Sequence, residues 1–472
     1  MVLGAVALLV CQPQARAADP RSDLFQPDVF GTEGALRGRT AGFDDPFLRN
    51  CGPVAGALSI SAAIDMALCR NPVTRTAWAG AHQQAAAYGA AESAWLPDIS
   101  ATGAVSRVWG SHQDFNGVIV SEDQTSKDAA VNLSWTLYDF GGRESRIRSA
   151  RYLLDAAAAT VNTVTQQTIL LVVQSYYGVV AADAGQKAAA ATEAAASRSL
   201  EIARTLQQGG VATVADVLQT QTAHDQGRLA LVQATQTARI ARGTLAVVLG
   251  FDADTPLELA AQPVPSQAPA LAVRMEDLMA EAARQRPELA AARAERNAAL
   301  EDITVARAVG RPSISLSAGR TGIDQTNVPN QNYGQIGLNV TIPLFTGFSV
   351  AYGVRQAQAQ LRAREANAEQ VRLTVTQDVW NAYYALDSAN QQLTTTATLM
   401  TSAQDNQDVA VGRYQSGVGT ILDLLTAQGG AANARQLRVA AELNWQVSRA
   451  QLALALGRLT GAQPLGGDAR LP

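Results

Sequence analysis

The chain repeats itself, and this duplication limits its possible folds more than any other feature. Landmarks of the first half recur in the same order in the second half, at offsets of 205 to 215 positions. The matching pairs are Pro72 with Pro287, Pro97 with Pro312, Leu133–Gly142 with Leu338–Gly347, and Gly210–Gln221 with Gly417–Gln428. A repeat of this length decides the fold class. We therefore predict one fold, written twice in tandem.

The repeat divides the chain into segments. An apolar run, Met1–Val10, is followed by Ala15-Arg16-Ala17, which is the pattern of a secretory signal and its cleavage site; a buried helix is the alternative. We predict these segments: signal peptide 1–17, N-terminal extension 18–58, repeat 1 at 59–250, Pro-rich linker 251–272, repeat 2 at 273–457, and C-terminal tail 458–472.

Export changes how the cysteines are interpreted. Cys51 and Cys69 would lie in a compartment that permits disulfides. We predict that they pair with each other, and two free thiols remain the alternative.

Each repeat contains two segments in which apolar and small polar residues alternate. The four strands are predicted at about 98–109, 129–140, 312–321 and 334–345. Alternation with period two gives one apolar and one polar face, and about 9–11 residues suffice for a tilted strand to cross a bilayer. A half-buried soluble sheet is the alternative for any one segment. The polar stretches 110–128 and 321–334 are predicted to be external loops.

Four strands cannot form a closed barrel, and the open edges of a sheet are not tolerated in lipid because unpaired backbone groups there are costly. Bacterial barrels begin at about eight strands. The chain must therefore oligomerise if it spans the membrane, and two copies would supply about eight strands and three copies about twelve.

The rest of the chain is predicted to be helical. Residues 143–208 and 349–416 contain no proline, and each stretch would form a helix of about 100 Å. Hydrophobic residues make up 47% of the chain but aromatic residues only 5%, so alanine carries much of the packing and favours closely spaced, coiled-coil-like helices. Six aromatic residues at helical spacing are expected to pack rather than to bind a ligand: Tyr176, Tyr177, Trp380, Tyr383, Tyr384 and Trp445.

The sequence offers little for catalysis or for nucleic-acid binding. His82, His112 and His224 are isolated from one another, and no phosphate-binding glycine loop is present. The net charge of -4 argues against a nucleic-acid partner. We expect no enzyme activity, metal or cofactor. A transport duct and a trimeric adhesive stalk remain as function classes, and the duplicated strand pairs favour the duct.

The segment Arg413–Gln428 (RYQSGVGTILDLLTAQ), together with the twofold repeat, resembles the TolC family of outer-membrane export ducts. The resemblance implies a mainly α protein with β-structure: a homotrimer with a twelve-strand barrel in the outer-membrane lipid of a Gram-negative cell and a helical barrel in the periplasm. It also implies two partners, a periplasmic adaptor protein and an inner-membrane ABC transporter.

Within the family the chain is most similar to channels of type I secretion. The resemblance therefore implies export of an unfolded protein, an adenylate cyclase-haemolysin type toxin. The alternative is the outer-membrane component of a tripartite small-molecule or multidrug efflux pump.

The resemblance also assigns site residues at the periplasmic end. It implies that Asp423 is the entrance aspartate, that Tyr414 is the gate tyrosine and that Asp216 is the opposing acid of repeat 1. Four glycines would form the tip turns that contact the adaptor: Gly209, Gly210, Gly417 and Gly419.

Two positions depart from the family pattern, and the acids have a second explanation. Gly419 stands where the best-known member has a gate arginine, and Thr426 stands where it has a second entrance aspartate. The spacings Thr213-x-x-Asp216 and Thr420-x-x-Asp423 also match capping boxes, in which the acid satisfies the start of a helix. Capping and a charged ring around an axis are compatible roles.

Overall fold

The computed structural model describes residues 28–32, 34–36, 39–40, 43–49, 51–52, 56–113, 115–260, 274–326 and 328–459. The predicted signal peptide lies outside the described residues, as do most of the linker and nearly all of the C-terminal tail.

The described chain runs twice through the same order of two helices, two strands and two helices, which confirms the tandem repeat. Repeat 1 contains α1 (Ile60–Arg70), α2 (Pro72–Glu92), β1 (Asp98–Gln113), β2 (Ile119–Tyr138), α3 (Gly142–Gln208) and α4 (Val214–Val248). Repeat 2 contains α5 (Met275–Gln285), α6 (Pro287–Ala308), β3 (Ser313–Gln325), β4 (Val328–Thr341), α7 (Ser349–Gln415) and α8 (Ile421–Ala455).

Proline and capping residues divide the shorter helices. Asn71 ends α1 and caps α2: its side-chain oxygen accepts a hydrogen bond from the Val73 N–H at 2.8 Å, and Pro72 occupies the first helical turn. Proline fits there because the missing N–H would have no partner inside the helix. Pro287 likewise occupies the first turn of α6, although the preceding residue, Arg286, makes no side-chain capping hydrogen bond there. This explains why the two prolines mark the same place in both repeats.

The predicted long helices are confirmed. Helices α3 and α7 each contain 67 residues, which corresponds to about 100 Å. Each packs against the helix that follows it, α3 against α4 and α7 against α8, and α3 also packs against α6 and α8. Within the described residues, α3 is the one helix long and apolar enough to cross a membrane by length and composition, and the window concerned is mostly buried in the protein.

The strands form one antiparallel sheet in the order β1-β2-β3-β4. The two repeats meet between β2 and β3, where Ser134 lies opposite Ser317. In the described chain β1 and β4 are the two edges of the sheet. The single chain thus has the open edges that the sequence predicts.

The prediction of long external loops is wrong. The strands continue through most of both polar stretches, because β1 extends to Gln113, β2 begins at Ile119, β3 extends to Gln325 and β4 begins at Val328. Polar cross-strand pairs hold this extension: Arg107 donates two hydrogen bonds of 2.9 Å to Asp123 on the neighbouring strand. At their other ends β2 and β4 stop at Tyr138 and Thr341, earlier than predicted.

The described residues between positions 28 and 58 form an N-terminal segment that lies on repeat 1. Leu36 and Phe43 are buried in the cluster that also contains residues of α1, α2 and α3. Arg39 forms an ion pair of 2.7 Å with Asp155 of α3. Cys51 and Cys69 are bonded as a disulfide with their Cα atoms 5.9 Å apart, which attaches the segment to α1.

The aromatic residues expected to pack divide into two groups. Tyr176, Tyr177 and Trp445 are buried in the two large apolar clusters, and Tyr383 is partly buried. Trp380 and Tyr384 are exposed on α7 instead.

Candidate functional site at the helical tips

The two helical hairpins, α3–α4 and α7–α8, end in turns of the same design. We call two residues counterparts when they occupy the same place in the two repeats; along the hairpins counterparts are 207 positions apart. Gly210 and its counterpart Gly417 have φ of 76° and 72°, a left-handed conformation that favours glycine. The chain then turns back, so that the N–H groups of Val211 and Val418 donate to the final turns of α3 and α7. These two turns are the tips.

A complete capping box begins the second helix of each hairpin. The Thr213 N–H donates to an Asp216 carboxylate oxygen at 2.8 Å, and the Asp216 N–H donates to the Thr213 hydroxyl at 3.2 Å. The corresponding distances for Thr420 and Asp423 are 3.3 Å and 3.2 Å. Both acids therefore cap helices; Asp423 is exposed to solvent and Asp216 is partly buried.

Tyr414 occupies a different environment from the two acids. Its ring is buried at the end of α7, in an apolar cluster with Ala203 of α3 and with Ile421 and Leu424 of α8. It therefore joins the tip of repeat 1 to the tip of repeat 2 within one chain. Its counterpart in repeat 1 is Gln207, which is exposed. A buried aromatic ring that joins the two tips is thus contributed by only one of the two repeats.

The electrostatics of the tip follow from this arrangement. Burial raises the pKa of Tyr414, and the charge of Asp216 raises it further. The Tyr414 hydroxyl has no hydrogen-bond partner among the described residues. For Asp423, hydrogen bonding from the Thr420 side chain and backbone lowers the pKa, and the charge of Arg413 acts in the same direction. Asp423 therefore carries a full negative charge at neutral pH.

The tip departs from the family pattern at two positions, Gly419 and Thr426. A side chain at Gly419 would place its Cβ 3.1 Å from the Cβ of Arg413 and 3.2 Å from the Tyr414 nitrogen, which is tighter than ordinary contact. The turn therefore favours glycine at the position where the best-known relative has arginine. Thr426 is exposed on α8 and carries no charge. Each chain therefore presents Asp423 without a second acid at that place.

A groove of about 520 Å³ lies between the two hairpins, farther along the helices from the tip turns. Small and amide side chains of α3, α4 and α8 line it, including Ala196, Gly227, Gln428 and Ala432. One hydrogen bond crosses between the hairpins here, from Gln428 Nε2 to Ser199 Oγ at 2.6 Å. Gly227 allows the hairpin helices to approach closely, since a Cβ there would lie 3.3 Å from the Glu193 backbone.

The structure brings together most of the residues singled out from the sequence, but it gives them different surroundings. Tyr414 lies close enough to Asp216 of the α3–α4 hairpin for that acid to raise its pKa. Asp423 lies on the same hairpin as Tyr414, near Arg413. The sequence reasoning missed the apolar partners of Tyr414, which are Ala203 and Leu424. Among the described residues, no group of three or more His, Cys, Asp or Glu side chains could hold a metal ion.

Comparison with known proteins places this geometry in context. The family model described as outer membrane efflux protein matches residues 63–251 and 278–458. Protein CyaE of Bordetella pertussis is 31% identical over 425 residues, which is 87% of this chain and 86% of that protein. The pyoverdine export outer membrane protein OpmQ of Pseudomonas aeruginosa is 28% identical over 413 residues, covering 85% of this chain and 84% of that protein.

The fold is also similar to that of solved structures. The outer-membrane channel OprN has a TM-score of 0.75 with 21% identity, and the match covers 84% of this chain and 89% of that one. At this identity the likeness shows the fold alone.

Proposed function

Because the chain belongs to the outer membrane efflux protein family, we propose that it is the outer-membrane channel of a type I secretion system. In this role three copies form one duct, which passes an unfolded protein from an inner-membrane transporter to the outside of the cell. The protein is located in the outer membrane of a Gram-negative cell, with its helical barrel in the periplasm.

One observation carries the proposal of a duct. A sheet with two open edges stands at one end of helices that are each 67 residues long. The edges are satisfied in lipid only if the sheet closes with other copies into a barrel. Three copies supply twelve strands, and the same ring closes the helices into a hollow cylinder. A stalk protein would not need this combination.

The partners follow from the position of the tips. In a membrane-anchored duct the tips lie at the far end of helices of about 100 Å, deep in the periplasm. We propose that the tip turns, with Gly209, Gly210, Gly417 and Gly419, contact a periplasmic adaptor protein, and that the adaptor connects the duct to an ABC transporter. The duct itself performs no catalysis, so the transporter supplies the energy.

The tip residues are proposed to control the entrance. Three copies of Asp423 would form a ring of negative charge around the axis, while Tyr414 holds the two hairpins of each chain together. With Gly419 and Thr426 at the family's other gate positions, the entrance has one acidic ring and no arginine latch.

The proposal also names the class of substrate that the duct exports. Export of an adenylate cyclase-haemolysin type toxin is supported by the resemblance to type I secretion channels and by the 31% identity to protein CyaE. Small-molecule export is the second candidate, because OpmQ, which its name describes as a pyoverdine exporter, is 28% identical over a similar length.

Deleting the gene in the native host separates these candidates. We expect the culture medium to lose the secreted toxin while resistance of the cells to drugs and detergents is unchanged. Complementation with the intact gene is the control. Normal toxin export combined with new drug sensitivity would contradict the protein substrate and favour efflux.

A further inference from the structure

The apolar face of the β-sheet carries an arginine, Arg320 of β3. Residues directly opposite each other in an antiparallel sheet project from the same face, so Arg320 shares its face with Val131 of β2 and Gly334 of β4. The same face carries Val105 and Ile336, which are 75% and 77% exposed. In a closed barrel this apolar face contacts lipid, and a charged residue on a lipid-facing surface is unusual enough to indicate a function.

Arg320 differs from the other two cations of this face. Arg107 pairs with Asp123 at 2.9 Å, and Lys127 lies 3.9 Å from Asp324. Arg320 is exposed, and it forms no ion pair with any acid in the part of the chain that the structure describes. The guanidinium of Arg320 therefore requires an anion from its surroundings.

The position of Arg320 along the strand indicates its depth in the membrane. The turns that join β1 to β2 and β3 to β4 lie at the end of the sheet opposite the helices, and therefore at the outer side of the membrane. On the apolar face of β3, Ile314, Leu316 and Ala318 precede Arg320, and Asp324 follows it towards the turn. Arg320 thus lies where the apolar band ends, below the headgroups of the outer leaflet.

A shallow recess leads from Arg320 towards the headgroups. The next position on this face of β3 is Gly322, which has no side chain and lies between Ala129 of β2 and Asn332 of β4. The Arg320 side chain can therefore extend outwards over Gly322, as long cationic side chains do at a membrane boundary. Lys127, opposite Asp324 on the neighbouring strand, bounds the outer end of the recess.

Asn332 lines the side of the recess. A Cβ atom added at Gly322 would lie 2.9 Å from Oδ1 of Asn332, so the asparagine amide leans over the glycine. The recess thus brings together three hydrogen-bond donors, which are the Arg320 guanidinium, the Asn332 amide and the Lys127 ammonium. A phosphate group suits this set, because a guanidinium binds two phosphate oxygens at once.

We propose that this recess binds a phosphate group on the sugar headgroup of an outer-leaflet glycolipid, with Arg320 as its main ligand. Strand β3 is an inner strand of the sheet, so a neighbouring copy that pairs with β1 or β4 does not cover the recess. Lipid is therefore the occupant that reaches this face. The proposal rests on the closed barrel proposed above, and it adds three lipid sites to each trimer.

Native mass spectrometry of the detergent-purified, full-length trimer, titrated with diphosphoryl lipid A, tests the site. We expect the parent protein to bind three molecules per trimer and Arg320→Gln to bind them at least tenfold more weakly. The matched control is Arg107→Gln, which removes the same charge from the same face. Asp123 already balances the charge of Arg107, so this control should bind within twofold of the parent protein.

Two further ligands identify what the recess recognises. Dephosphorylated lipid A keeps the acyl chains, and the parent protein should bind it at least tenfold more weakly than diphosphoryl lipid A. Inorganic phosphate, added at a hundredfold excess, should not displace the lipid; displacement would assign the site to free phosphate and overturn the proposal. Equal binding by the parent protein and Arg320→Gln, or of the two lipids, would show that the protein holds lipid through its apolar surface alone.

A conservative variant covers the case in which Arg320→Gln does not assemble. Arg320→Lys keeps the charge but loses the two-oxygen contact, so it should bind diphosphoryl lipid A at least threefold more weakly than the parent protein; equal binding would contradict the role of the guanidinium. A parent protein that light scattering shows to be monomeric would contradict the closed barrel and the proposed function. A trimer without preference for the phosphorylated lipid would contradict the lipid site alone.

Discussion

Replacing Tyr414 with alanine is expected to open the entrance of the duct and raise its single-channel conductance severalfold. The ring is buried in a cluster with residues of α3 and α8, and this cluster joins the two tips of one chain. Removing a buried aromatic ring costs about 3 kcal/mol or more, which shifts an opening equilibrium by a factor of roughly one hundred. Planar-bilayer recordings of the purified protein measure the effect.

The matched variant Tyr414→Phe separates the ring from the hydroxyl. The hydroxyl has no partner among the described residues, so the phenylalanine variant should conduct like the parent protein. If phenylalanine opened the channel as far as alanine does, a hydrogen bond of the hydroxyl would hold the entrance, and the packing explanation would be wrong. If neither variant changed conductance, Tyr414 would have no part in the gate.

Replacing Asp423 is expected to abolish block of the channel by multivalent cations added on the periplasmic side. Asp423→Asn removes the charge but leaves an oxygen that can accept the Thr420 hydrogen bond, whereas Asp423→Ala removes both. Both variants should lose the block, and only alanine should lower the thermal stability of the tip. Asp216→Asn is the control, because it changes the same capping box in repeat 1.

The block should also depend on pH in a defined direction. Thr420 lowers the pKa of Asp423 below the ordinary aspartate value of 3.8, so the carboxylate keeps its charge as the pH falls towards that value. Block should therefore be unchanged at about pH 5 and disappear only in stronger acid. Retained block in Asp423→Asn, together with lost stability in Asp423→Ala, would show that Asp423 acts only as a helix cap.

Much of the fold follows from local sequence patterns. The proline-free stretches predict α3 and α7 to within a residue or two, and the threonine and acid at the tips predict both capping boxes. These features depend on neighbours in the sequence. The extensions of the strands were missed because polar residues on both faces are typical of loops, and only the cross-strand pairing of residues such as Arg107 and Asp123 makes them strands.

The candidate site was less predictable because it depends on contacts between distant segments. Nothing near Tyr414 in the sequence indicates that Ala203, more than two hundred positions earlier, packs against its ring. Similarly, Tyr177 and Tyr384 look equivalent in the sequence, yet the first is buried and the second exposed. The difference arises because one chain supplies the covering helix for repeat 1 but not for repeat 2.

The central claim is that the sheet of one chain is completed by the sheets of others. Across the junction between β2 and β3, Ser134 lies opposite Ser317. In the aligned repeats, Asn339 on β4 takes the place of Ser134, and Thr102 on β1 takes the place of Ser317. Within one chain these two edge strands are separated by three strand spacings, or about 14 Å. A cross-linker that spans about 8 Å cannot join them there, but it can join β4 of one copy to β1 of the next.

Cross-linking a protein that carries both Thr102→Cys and Asn339→Cys is therefore the most direct test. The ring predicts that outer-membrane preparations yield covalent trimers on a denaturing, non-reducing gel, with no larger species and with monomers only from each single variant. A double variant that stays monomeric while properly inserted in the membrane would contradict the closed barrel of three copies.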